Sequence, residues 1–181
     1  MIKINMGCGW RNFGQDWVHI DGGDYKHLDY KSITKLEFAD NTVDLIYASH
    51  LLEYFDRIQV KPLLSEWKRV LKPDATLRMA VPDFSVLCRL YQKGEIKLEN
   101  VLGPLYGAMQ MGNKLIYHKT TYDLQDLNII LTENGFYDIM RYDWRETEHA
   151  QFDDHSQAYF PHMDKENGTL VSLNMECKKI P

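Results

Sequence analysis

Two glycines, Gly7 and Gly9, stand around Cys8 in "INMGCGWRNFGQDWVHID", and Asp21 closes the apolar run that follows them. Glycines at a strand end let backbone approach a nucleotide, and an acid at the next strand end can accept hydrogen bonds from ribose hydroxyls. A dinucleotide fingerprint needs GxGxxG. Here Trp10, Arg11 and Asn12 follow Gly9, so the third glycine is missing and Gly14 comes too late. A P-loop would need Gly-Lys-Ser/Thr, which is absent. Groups able to move a proton are His50, next to Ser49, then His118 with Tyr122, and His155 with Ser156 in a late polar stretch. The seven histidines show no metal-ligand spacing such as HExxH.

The elements that must position these groups are legible in the periodicity. "IKINM" and "WVHID" read as short strands, and "VDLIYAS" (43–49) as a buried one introduced by the turn-like "ADNT". Leu63, Trp67, Val70 and Leu71 share a helix face that ends before "KPDA". "TLRMAV" is a further strand, and Asp83 is placed to cap a helix carrying Phe84, Leu87, Cys88 and Tyr91. Residues 94–121, with Gly103, Pro104, Gly107 and Gly112, read as an insertion or lid. Leu124, Leu127, Ile130 and Leu131 mark another helix, with Gly135 as its terminating residue. "FYDIMRYD" and "TLVSLNMEC" are the last strands; residues 144–168 between them read as loop, with Asn167-Gly168-Thr169 a turn.

Strands alternating with helices predict an α/β sheet with helices on its faces, and a final strand reached through a loop is more easily antiparallel. Ligands in such sheets lie at the carboxyl ends of the strands, where Gly7 and Gly9 fall. A chain of 181 residues with an ordinary polar balance is expected to be one domain, 1–181. Its formal charge of -5 argues against a nucleic-acid surface. Cys8, Cys88 and Cys177 are odd in number and widely spaced, which fits free thiols in the cytoplasm. No signal peptide and no apolar run long enough to span a bilayer is apparent.

The segments "INMGCG", "VHID", "LEFADNTVDLIYASHLLEYF", "EWKRVLKPDATLRMAVPDF" and "HKTTYDLQDLNIILTENGF" occur in an order that resembles class I S-adenosylmethionine-dependent methyltransferases. The likeness is to the small "LNLGCG" kind (methyltransferase type 11), often associated with saccharide and cell-envelope biosynthesis, and spans nearly the whole chain. It implies a Rossmann-like sandwich with a seven-stranded, mostly parallel sheet and an antiparallel last strand. By position it implies cofactor contacts at Gly7, Cys8 and Gly9, ribose contacts at Asp21, and an adenine site at Asp29 and Tyr30. Ser49 and His50 would face the methionine end or the substrate.

Two departures stand out. Asn5 occupies the place of an acid in the family loop, able to hydrogen-bond but not to supply its charge, and Arg11 takes the place of a third glycine. The crossover from Gly9 to Val18 is short for a parallel pair, so the first helix should shrink to a turn, with Trp10, Phe13 and Trp17 covering the edge it would shield. Glu53 and Tyr54 stand where the family often has Glu-His. The expectation is S-adenosylmethionine-dependent methyl transfer to oxygen or nitrogen of a small or saccharide-like acceptor, with His50 and His118 as proton-moving candidates. A catalytically inactive binding or scaffold protein of the same fold is the alternative, and an NAD-dependent enzyme a distant third.

Overall fold

The computed structural model describes residues 1–181. A six-stranded sheet runs through it, built from β1 (Lys3–Met6), β2 (Val18–Ile20), β3 (Val43–Ser49) and β4 (Leu71–Pro82), then β7 (Phe136–Arg141) and β10 (Ser172–Lys179). The order across it is β2-β1-β3-β4-β10-β7. The first four strands are parallel, and β10 is antiparallel to both β4 and β7. A seventh strand is lacking: beyond β2 the sheet has only a one-residue parallel bridge from Ile20 to Tyr30.

One face is packed by helices α1 (Arg57–Val70) and α4 (Leu124–Glu133). Helix α1 starts at a capping box, in which Asp56 accepts from the Ile58 and Gln59 amides and the Gln59 side chain accepts from the Asp56 amide. Its apolar positions Val60, Leu63, Leu64, Trp67 and Val70 recur at helical spacing and are almost fully buried, each worth about 1.5–3 kcal/mol. The chain enters β4 directly at Leu71, so that strand begins earlier than the "TLRMAV" run suggests. Helix α4 ends at Asn134 and Gly135, whose φ of +82° is the left-handed turn glycine permits.

The other face carries loops where helices were expected. Residues 7–17 contain no helix at all. Phe13 and Trp17 instead pack on Leu45 and Tyr47 of β3, joined by Phe152 with its ring centroid 4.5 Å from that of Phe13. His149 lies 3.9 Å from the Tyr47 ring, and the Tyr47 hydroxyl donates to Asp154 Oδ2 at 2.6 Å. Trp10 does not join this cover; it is 68% exposed. The polar positions of β10 also turn inward: Ser172 donates to Asn174 Oδ1, and Asn174 Nδ2 donates to the Ser156 carbonyl.

Helices α2 (Phe84–Gln92) and α3 (Leu98–Tyr106) pack together through Leu87, Leu90 and Val101. After α3 comes a two-stranded ribbon, β5 (Ala108–Met111) with β6 (Lys114–Tyr117). A second short pair, β8 (Tyr159–Phe160) with β9 (Thr169–Leu170), closes the late loop. No helix is long and apolar enough to cross a membrane.

Candidate active site

The carboxyl ends of β1, β2, β3 and β4 open into a cavity of about 1130 Å³. Gly7 and Gly9 form its floor, Asp21 and Gly22 one side, and Ser49, His50 and Pro82 the other. The segment 103–119, including the β5–β6 ribbon, lines the opposite wall, and His155, Ala158 and Val171 come from the late loop and the residue just before β10.

The glycine loop is held by backbone geometry. Gly7 has φ +67° and donates to the Ile20 carbonyl at 2.7 Å, while a Cβ there would meet Leu51 Cδ1 at 2.8 Å. Gly9, at φ +56°, faces open space. Its amide donates to Asp21 Oδ2 at 2.8 Å, and the Gly23 amide donates to Asp21 Oδ1 at 2.7 Å. Asp21 therefore braces two loops and keeps one further lone pair on each oxygen for a ligand.

Four of the expected residues lie elsewhere. Asn5 faces the loop-covered side of the sheet, where it pairs with His19 and Tyr47, and its Nδ2 is buried without a partner. Cys8 is buried against His27, and burial, then the Asp21 charge, push its thiol up to about 12. Asp29 accepts from the His19 amide at 2.8 Å, and Tyr30 packs edge-on to Phe38; neither lines the cavity. Strand β2 ends before them, and without a paired third strand this stretch turns back to brace β2. Tyr25 and Ile33 occupy the corresponding wall.

Three histidines meet at the far end. His50, at φ +50°, follows β3 and is tied to β4 by its amide, which donates to the Ala80 carbonyl at 2.8 Å. Its Nε2 lies 3.1 Å from Ser172 Oγ. The Ser172 proton is committed to Asn174, so His50 Nε2 is the donor in that contact and Nδ1 carries a lone pair. His118 Nδ1 lies 2.9 Å from the Pro104 carbonyl, which can only accept, so its Nε2 also carries a lone pair.

Both lone pairs face one atom. Glu53 Oε1 is 3.4 Å from His50 Nδ1 and 3.9 Å from His118 Nε2, and the Glu53 side chain is wholly buried. No donor reaches either carboxyl oxygen in hydrogen-bond geometry. Burial pushes Glu53 up to about 8, and burial lowers both histidines, so all three are neutral at pH 7. Tyr54 sits edge-on to His118 at 4.6 Å, its phenol raised to about 12 by burial.

His155 stands beside this group, its ring centroid 5.2 Å from that of His50, and neither of its nitrogens has a protein partner. Arg11 lines the same end, its Nε donating to the Asp153 carbonyl and its guanidinium 4.9 Å from the Trp10 ring. The sequence reading did not single out Glu53 for a role; its signal was the i, i+3 spacing from His50 across the turn that follows β3.

The profile of the family described as "Methyltransferase domain" matches residues 14–79, the stretch from the glycine loop's end to mid-β4 that contains Asp21, Ser49, His50 and Glu53. Over residues 14–79 the chain is similar to that family, and its fold is the one that solved S-adenosylmethionine-dependent methyltransferases share. A SAM-dependent methyltransferase structure from Methanosarcina mazei, 15% identical, superposes with a TM-score of 0.58 over 99% of this chain and 92% of its own. One from Archaeoglobus fulgidus, 16% identical, gives 0.60 over 98% and 86%. The Burkholderia thailandensis 1,6-didemethyltoxoflavin-N1-methyltransferase, solved with 1,6-didemethyltoxoflavin and S-adenosylhomocysteine, is 11% identical and gives 0.56 over 99% and 71%. At such identities the likeness is one of fold. No curated protein matches the sequence significantly.

S-adenosylmethionine is the methyl donor that this likeness implies, and the cavity fits it. Gly9 leaves open space where a side chain would intrude, Asp21 offers unused lone pairs, and the volume exceeds the roughly 300–1,000 Å³ of a single small-ligand site.

Proposed function

We propose that this methyltransferase methylates an oxygen or nitrogen of a small or saccharide-like acceptor in the cytoplasm. The continuity of one cavity from Asp21 to the histidine group carries this reading, because donor and acceptor must be held in a single water-poor space. When bound, S-adenosylmethionine supplies an activated methyl group and most of the reactivity. The chain's own work is then binding, alignment and proton removal.

Gly7, Gly9 and Asp21 hold the cofactor in this reading, with Tyr25 and Ile33 flanking its base and Ser49 beside its reactive end. Asn5, Cys8, Asp29 and Tyr30 support that site from behind. His50 and His118 border the acceptor, and the 94–121 segment closes over it, Met109, Met111 and Leu115 of the ribbon excluding water. Three free cysteines fit a reducing compartment, and the charge of -5 favours a small acceptor over nucleic acid.

Calorimetric titration with S-adenosylhomocysteine, beside Asp21→Ala, tests the cofactor half. Micromolar binding that the variant loses supports it. Labelled methyl transfer into sugar, amine and phenol pools tests the acceptor half. A wild type that binds no S-adenosylhomocysteine leaves the non-catalytic binding protein as the better reading.

A further inference from the structure

Accepting the acceptor's proton requires a ring nitrogen with a free lone pair that reaches the cavity. Of the three histidines on the wall, two are committed. His50 gives its Nε2 proton to Ser172 and turns Nδ1 toward buried Glu53. His118 gives its Nδ1 proton to the Pro104 carbonyl, and its Nε2 is turned toward Glu53 and pressed against Gly107, where a Cβ would come within 2.4 Å.

His155 differs on each count. It lines the cavity and has no hydrogen-bond partner at either nitrogen. Its mount is rigid: Asp154 caps the short turn by accepting from the Ser156 amide at 2.8 Å, and accepts from the Tyr47 hydroxyl through its other oxygen. The Ser156 carbonyl is in turn held by Asn174 of β10. Both oxygens of the neighbouring acid are thus engaged away from the ring.

We propose that His155 is the group that takes the proton released by the methyl acceptor; this rests on the methyltransferase reading above. The acceptor's lone pair forms the bond to the methyl carbon, the carbon–sulfur bond breaks with its electron pair on sulfur, and the acceptor's proton passes to a ring nitrogen of His155. Charge balances, since one sulfonium is lost and one imidazolium gained. The surroundings suit a base that must start neutral: the residue is solvent-exposed at the cavity wall, yet partial desolvation and then the Arg11 cation lower its affinity for a proton, His118 adds to this, and Asp154 and Asp153 oppose it. The neutral ring of His50 packs beside it.

The titration half of the test needs no knowledge of the acceptor. Histidine resonances, assigned with His155→Gln, are titrated by NMR in the S-adenosylhomocysteine complex and again in the S-adenosylmethionine complex. The two ligands differ by one methyl and one positive charge at sulfur. His155 close to the reacting atoms titrates at lower pH in the second complex. His155→Gln keeps S-adenosylhomocysteine affinity within about twofold and loses about 100-fold or more in transfer to any acceptor the wild type uses. The same His155 titration in both complexes, or undiminished transfer by the variant, overturns the proposal. A wild type that binds neither ligand overturns the methyltransferase reading beneath it, an outcome that the first two cannot produce.

Discussion

Glu53 Oε1 faces His50 Nδ1 across 3.4 Å, an acid and a base that meet with no ion between them. The imidazole has placed its proton on Ser172 and the acid keeps its own, so the contact is a neutral carboxyl against a lone pair. Keeping that acid protonated has a thermodynamic signature.

In the fold Glu53 holds its proton up to about pH 8, against an ordinary value of 4.5. The folded state therefore binds more protons than the unfolded state between those values, and stability falls as pH rises through that window. The cost at pH 8 is of the order of a few kcal/mol. Glu53→Gln, neutral and of the same shape, is expected to be more stable than wild type at pH 8 by about 1–3 kcal/mol. The difference should shrink toward pH 5. Urea midpoints across pH 5–8 check this.

His149 works in the opposite direction. Burial between Tyr47 and Phe13 lowers it from 6.5 to about 4, so the folded state binds fewer protons there than the unfolded state. Its contribution is fully present above 6.5 and is lost as pH falls toward 4. His149→Phe preserves the stacking and should flatten the acid limb of the stability profile by about 2–3 kcal/mol. A limb of unchanged steepness would reject His149 as its cause.

The two loop glycines should fail differently when given a methyl group. Gly7→Ala drives Cβ into Leu51 at a positive φ, and is expected to lose about 2–4 kcal/mol of stability. Gly9→Ala meets no atom, so only the left-handed backbone cost of about 1 kcal/mol applies. Its methyl projects into the space assigned to the cofactor. Thermal melts and S-adenosylhomocysteine titrations of the two proteins should therefore rank them in opposite order.

Asp21→Asn keeps the shape but replaces one oxygen, which accepts from a backbone amide, with an NH2 group. A charge-assisted bond is worth about 1.5–3 kcal/mol, so a loss of about tenfold to a hundredfold in S-adenosylhomocysteine affinity is expected. Affinity within twofold of wild type would remove Asp21 from the cofactor site.

The parts of the fold governed by local rules were legible in the sequence. The stripe Leu63–Trp67–Val70, the cap at Asp83 and the terminating Gly135 each declare themselves within a few residues, and the structure has them as expected. The shortened first crossover was also visible as a count of residues between Gly9 and Val18, though it has lost its helix entirely. What could not be read was the second face of the sheet. Phe13 meets Phe152 and Tyr47 meets Asp154 across more than a hundred residues of chain, and no periodicity encodes such partners. The same limit hid the chemistry at the acceptor end. His50 and His118 look like free bases in sequence, and only Ser172, Pro104 and Glu53, brought in by folding, show one nitrogen of each ring engaged and the other turned toward a buried acid.

Strands β5 and β6 hydrogen-bond to each other and to no other strand. A two-stranded ribbon has little stability of its own, and no rung of the central sheet depends on it. Substitutions at Met109, Met111 or Leu115 therefore change the lining of the cavity at little expense to the core: the ribbon is where this fold is free to diversify.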